Sequence, residues 1–139
     1  MMKVNVFSDG ASRGNPGVSA IAYMILNTEG QMLTRQSKYV GIRTNNQVEY
    51  EALIAALESA SELRVQEVVC YLDSELVVKH LSGEYRVRNL VLKRLWLRVQ
   101  ELKKRFHQIT FKHVSRVDKH IVEVDRLANQ TLNSVRYKL

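Results

Sequence analysis

The hydrophobic pattern of this chain changes period near residue 44, and that change limits the folds open to it. Upstream, "KVNVFS" (3–8), "VSAIAYMILN" (18–27) and "QMLTRQSKYVG" (31–41) read as strands. Their connections are short: one holds the only proline, Pro16, and the other turns over Asn27 to Gly30. Such spacing predicts an antiparallel three-stranded meander. Downstream, "TNNQVEYEALIAALESASELRV" carries Leu53, Ala56, Leu57, Ala60 and Leu63 at helical spacing, with Asn45 or Asn46 as N-cap. "EVVCYL" (67–72) is then a strand apolar enough for burial on both faces, ending at Asp73. A short helix, "SELVVKHLSG", is closed by Gly83. A longer basic helix, "NLVLKRLWLRVQELKKRF", sets Leu92, Leu95, Trp96, Val99 and Leu102 on its inner side. "QITFKHV" supplies a fifth strand, and a last helix covers residues 121–136. The expectation is an α/β fold in which one five-stranded mixed sheet, its first three strands antiparallel, carries helices on both faces. Residues 1–139 read as one domain.

Charge and cysteine content narrow the function. A formal charge of +7 and a pI near 9.7 favour a polyanionic partner, nucleic acid or an acidic membrane surface, although basicity also serves solubility. Cys70 is the only cysteine, which excludes an intrachain disulfide and a cysteine-based metal site. It lies in an apolar run and reads as a buried, inert thiol. No stretch has transmembrane length or signal-peptide form, so a cytoplasmic protein without membrane contact is expected.

Four of the 14 acidic residues stand where solvated acids do not. Asp9 and Asp73 each end an apolar strand; if those strands are parallel neighbours, both carboxylates meet at the carboxyl edge of the sheet, where open α/β sheets bind ligands. Glu49 aligns with Leu53, Ala56 and Ala60 on the buried stripe of its helix, and Asp125 aligns with Ala128 and Leu132. Carboxylates gathered at a core edge repel and push each other's pKa upward. Divalent cations resolve this, and oxygen-only ligands suit Mg²⁺ or Mn²⁺. Taken singly, each acid also fits a cap, a helix-dipole partner or a surface ion pair.

In order and spacing, "SDGASRGNPG", "TNNQVEYEAL", "YLDSELVV" and "VDRLANQTL" resemble the four motif blocks of type 1 ribonuclease H, over nearly the whole chain. The resemblance implies a ribonuclease H-like fold, and a stand-alone catalytic domain without a separate basic handle. It implies endonucleolytic hydrolysis of the RNA strand of RNA–DNA hybrids, leaving 5′-phosphate and 3′-hydroxyl ends. Two Mg²⁺ ions per site, bound with substrate, are implied, with Mn²⁺ as a substitute. The family's metal ligands fall on Asp9, Glu49, Asp73 and Asp125. Asp9 and Asp73 would lie closest to both ions, Glu49 would hold the ion near the attacking water and the RNA, and Asp125 would help hold the nucleophile-side ion. Recognition of 2′-hydroxyls falls to Gly10, Ser12, Asn15, Asn45, Asn46 and Gln47, and a pocket for a DNA phosphate to Arg43, Thr44 and Asn89. The hybrid is the one implied partner, and no protein partner is implied, so a monomer is expected.

The segment "HVSRVDKHIVEVD" departs from the family pattern: Ile121 stands where an Asn is expected and Val124 where an Ala is. His120 is the nearest match to the family's proton-shuttling histidine, and equally fits a surface residue capping the last helix. His80 reads as peripheral. Lys93, Arg94, Arg98, Lys103, Lys104 and Arg105 form either a backbone-tracking surface or a solvated basic face. Two other classes share the expected fold: a catalytically silent hybrid- or double-stranded-RNA-binding module, and a core that cuts or joins DNA, such as that of a transposase, integrase or junction resolvase.

Overall fold

The structure, a computed structural model, describes residues 2–136. Its strands are β1 (Lys3–Gly14), β2 (Gly17–Asn27), β3 (Met32–Arg43), β4 (Glu67–Leu72) and β5 (Gln108–His113). Its helices are α1 (Asn45–Glu62), α2 (Glu75–Ser82), α3 (Leu90–Lys103) and α4 (Lys119–Arg136). The sheet order is β3-β2-β1-β4-β5; β1–β2 and β2–β3 pair antiparallel, and β1–β4 and β4–β5 pair parallel. The expected mixed sheet is therefore present. No helix among the described residues is long and apolar enough to cross a membrane.

Alternation along β1 divides the core into two layers. Val4 and Val6 face α1, packing with Leu53, Ala56, Leu57 and Ala60 and, farther out, with Leu92, Val99 and Leu102 of α3. Phe7 faces the opposite way, toward Ile121, Val124, Ala128 and Leu132 of α4. In β4, Val68, Cys70 and Leu72 are buried, but Val69 and Tyr71 are only half-buried. Burial of β4 on both faces is thus corrected: α4 packs over β1, β2 and β3 and leaves β4 half uncovered on that side.

The start of α1 differs from the expected Asn45 or Asn46 cap. Thr44 is the N-cap: its hydroxyl accepts from Gln47 N–H, and the Gln47 side chain accepts from Thr44 N–H. This reciprocal capping box satisfies two orphan donors at once; Asn45 has Val48 at its third position and so lacks the partner, and Glu49, three residues after Asn46, is engaged by Gly10 N–H instead. His80 is not peripheral. It is buried, its Nδ1 lies 2.8 Å from the Tyr50 hydroxyl, and its carbonyl accepts from Trp96 Nε1 at 3.2 Å. Burial holds its imidazole below the usual histidine range, and the contacts tie α1, α2 and α3 together.

Candidate active site

The parallel pairing of β1 with β4 runs from Lys3 opposite Glu67 to Phe7 opposite Tyr71. Asp9 and Asp73 lie two residues beyond that last pair, side by side in register. The expectation that β1 ends at Asp9 is corrected, because the strand continues to Gly14 as a ribbon paired with β2 alone. At Asp73 the chain turns away instead, with Ser74 capping α2 by accepting from Val77 N–H. The departure of β4 opens one side of β1, and this opening is the site.

The N-terminal part of α1 closes over it. Glu49 Oε1 accepts from Gly10 N–H at 3.2 Å, while Glu49 Oε2 is buried without a partner. One oxygen each from Asp9, Glu49 and Asp73 lies within 4.8 Å of the others. Asp9 is 4% exposed. Burial, then the charge of Glu49, pushes the Asp9 carboxyl far above the usual carboxylate range. Burial also raises Glu49, and the charges of Asp73 and Asp125 raise both. A buried acid this close to a half-buried one disfavours two full negative charges unless a cation intervenes. An orphaned carboxylate oxygen inside an all-oxygen cluster is the donor set that Mg²⁺ or Mn²⁺ takes.

Asp125 lines the same cleft but does not belong to the tight trio. Its expected alignment with the buried stripe is corrected: the stripe runs through Ile121, Val124, Ala128 and Leu132, and Asp125 sits exposed about 100° around the helix from Val124. Asn129, one turn on, donates its Nδ2 to the Asp125 carbonyl at 3.0 Å and to Oδ1 at 3.3 Å. The cleft, about 520 Å³, is walled by the four acids with Gly10, Ser12, Asn45, Asn46, Ser74, Arg116 and Asn129 among its other residues.

Residues 7–131 match the family model described as reverse transcriptase-like. Ribonuclease HI of Halobacterium salinarum is 37% identical over 94% of this chain, and a bifunctional protein of Mycobacterium tuberculosis is 35% identical over 96%. The crystal structure of the Halobacterium ribonuclease H1 superposes with a TM-score of 0.91 at 36% identity, covering 95% of this chain and 98% of that one. The chain belongs to the type 1 ribonuclease H family. It spans 65% of the length of the Halobacterium relative and 36% of the mycobacterial one. A further type 1 member, LC11 ribonuclease H1, solved in complex with an RNA/DNA hybrid, superposes with a TM-score of 0.89 at 32% identity, covering 95% of this chain and 98% of that one.

The residues that the family pattern assigns to substrate divide into two groups. Gly10, Ser12, Asn45 and Asn46 line the cleft. Asn15, Arg43, Thr44, Gln47 and Asn89 are not among its lining residues, and each has a partner within the fold. Asn15 Oδ1 accepts from Asn45 N–H at 3.0 Å, holding the loop after β1 against the start of α1. Arg43 Nε donates to both oxygens of Glu51, at 3.0 and 2.8 Å. Thr44 and Gln47 form the capping box, and Asn89 caps α3 by accepting from Val91 and Leu92 N–H. The basic residues of α3 divide likewise: Arg98 pairs with Glu58 and Glu101, and Lys93 lies over the half-buried Trp96 ring.

His120 is not brought to the cleft. Its ring packs 4.4 Å from that of Phe7, which stacks on Tyr71 at 4.7 Å. The helix start is capped instead by Asp118, whose Oδ1 accepts from His120 and Ile121 N–H. Arg116, Ser74 and Asn129 are cleft residues that sequence reasoning missed. For Asn129 a signal existed, since it stands four residues after Asp125 on one helix face. We expect Asn129→Leu to weaken Mg²⁺ binding about 10-fold, as loss of a group that orients a ligand does. Titration of Mg²⁺ by calorimetry checks this, with Asn129→Gln expected to lose less.

Proposed function

We propose that this chain hydrolyses the RNA strand of RNA–DNA hybrids, endonucleolytically and with two divalent cations, leaving 5′-phosphate and 3′-hydroxyl ends. The observation that carries the reading is the trio Asp9, Glu49 and Asp73 with its orphaned Glu49 oxygen, set in an open cleft of a type 1 ribonuclease H fold. The hybrid-bound relative supports the substrate.

Two Mg²⁺ ions, when bound, would supply a water acidic enough to attack near neutral pH and a counter-charge for the leaving 3′-oxygen. Asp9 and Asp73, adjacent across the β1–β4 edge, would hold both ions, with Glu49 and Asp125 completing the set from opposite walls. Gly10 N–H aims Glu49 by hydrogen bond, and Asn129 aims Asp125. Asn45, Asn46 and Ser12 line the same cleft and would supply the polar groups that distinguish the 2′-hydroxyls of an RNA strand from DNA. Among the described residues no serine–histidine pair lines the cleft, which supports water as the nucleophile.

The test offers labelled RNA–DNA hybrid, duplex DNA and duplex RNA, each with Mg²⁺, Mn²⁺ or EDTA. Cleavage confined to the RNA strand of the hybrid, stopped by EDTA and leaving 3′ ends that a polymerase extends, is expected. Hybrid binding without cleavage would make the chain a binding module, and cleavage of duplex DNA would place it among DNA-acting relatives.

A further inference from the structure

Among the described residues, Arg116 is the one cation in the wall of a cleft that carries four carboxylates. We propose that it binds the scissile phosphodiester of the substrate as a fixed positive charge; this rests on the hydrolytic reading above. The residue belongs to the turn between β5 and α4, and that turn is tied at both ends. Val114 N–H donates to the Leu72 carbonyl at 2.9 Å, fastening the chain beside the residue before Asp73. Asp118 N–H donates to the Ser115 carbonyl at 3.0 Å, and the Asp118 carboxylate caps α4, the helix of Asp125. Arg116 is thereby placed between the two elements that carry Asp73 and Asp125.

Its side chain is exposed and no carboxylate among the described residues forms an ion pair with it, unlike Arg35, Arg43, Arg98 and Arg126. Charge balance gives this free guanidinium a use. Four ionised carboxylates are neutralised by two divalent cations, but a phosphodiester adds one negative charge and gains another as water attacks. A guanidinium at the cleft wall offsets that charge with paired N–H donors matched to phosphate oxygens. It cannot give up a proton near neutral pH, so it serves as an anchor and never as a shuttle. The chain therefore carries a permanent charge in the cleft, while the His120 ring packs on Phe7.

The experiment compares wild type with Arg116→Ala, Arg116→Lys and His120→Ala. Steady-state cleavage of a labelled hybrid in Mg²⁺ is measured beside anisotropy of the same hybrid in EDTA over a salt series, with thermal unfolding of each variant. Arg116→Ala is expected to lower kcat/KM about 10- to 100-fold, Arg116→Lys to recover part of it, and His120→Ala to lose less than Arg116→Ala. In EDTA, Arg116→Ala is expected to reduce the salt slope of hybrid binding by about one phosphate contact at unchanged unfolding temperature. Unchanged kcat/KM and salt slope in Arg116→Ala would overturn the proposal, as would a larger loss in His120→Ala. If wild type binds hybrid but cleaves none, the hydrolytic reading fails by itself; the salt slope still decides whether Arg116 contacts phosphate.

Discussion

Asp73→Asn and Asp9→Asn are each expected to lower hybrid cleavage about a thousandfold, the upper end of what one preorganised electrostatic group supplies. Both residues lie at the point where β4 leaves β1, and an amide there would lack the negative charge with which the carboxylate would hold a divalent cation. Asp9→Asn should also change stability in a direction that separates a cation site from ordinary surface acids. Burial and Glu49 raise the Asp9 carboxyl, and burial raises Glu49. In EDTA the folded chain therefore keeps protons that the unfolded chain releases once pH passes about 4, the ordinary carboxylate range. The folded state binds more protons, so stability falls as pH rises from there through neutrality. Divalent cations bind the ionised form and should reverse that loss. Thermal unfolding over this range, with EDTA or with Mg²⁺, measures it. Wild type in EDTA is expected to lose stability with rising pH, and Asp9→Asn to lose less. Metal-free stability that instead climbs through neutrality would mean that these carboxylates are already compensated by protein cations, and the two-ion reading would go with it.

Strand and helix periods carried most of the fold, because β1 to β3 and α1 have one wet and one dry face and the pattern records which is which. The boundaries that slipped had tertiary causes. β1 reads as ending at Asp9 since glycine and serine follow, yet β2 alone sustains it to Gly14. The acids of β1 and α1 were legible from their positions beside apolar runs. Asp125 was legible only as an acid near a stripe, because one residue along α4 separates the buried Val124 from the exposed Asp125. Arg116 had no spacing signal, since the family's arginine position falls on Asp118. It stands in a turn whose direction depends on the Val114 contact with Leu72, 42 residues away in sequence, and no local pattern encodes such a contact. His120 shows the same limit: its place five residues before Asp125 allowed a role in the cleft or a surface one, and it is packing that turns its ring onto Phe7.

Gly10→Ala is the substitution expected to damage the site most without removing any of its functional groups. A Cβ at Gly10 would lie 2.6 Å from the carbonyl carbon and oxygen of Val48 and 2.7 Å from its Cγ1. Two of these atoms are backbone of α1, so relief requires β1 and the helix to move apart. The Gly10 N–H that aims Glu49 is already at 3.2 Å, so separation weakens it and draws Glu49 away from Asp9. Overpacking of this kind costs about 1–3 kcal/mol of stability. The catalytic cost should be larger, because displacement of a positioned group by about 1 Å costs roughly 100-fold in rate. Gly30→Ala provides the comparison: Gly30 has φ of 83° and nothing within 4 Å of its Cβ position, in the turn between β2 and β3 and outside the cleft lining. Its alanine variant should strain the backbone and lower the unfolding temperature while leaving kcat near wild type. Gly10→Ala should lower kcat and weaken Mg²⁺ binding far beyond what its unfolding temperature accounts for. Equal losses of activity in the two variants, scaled only by stability, would show that the close approach of β1 to α1 supports the fold and not the aim of Glu49.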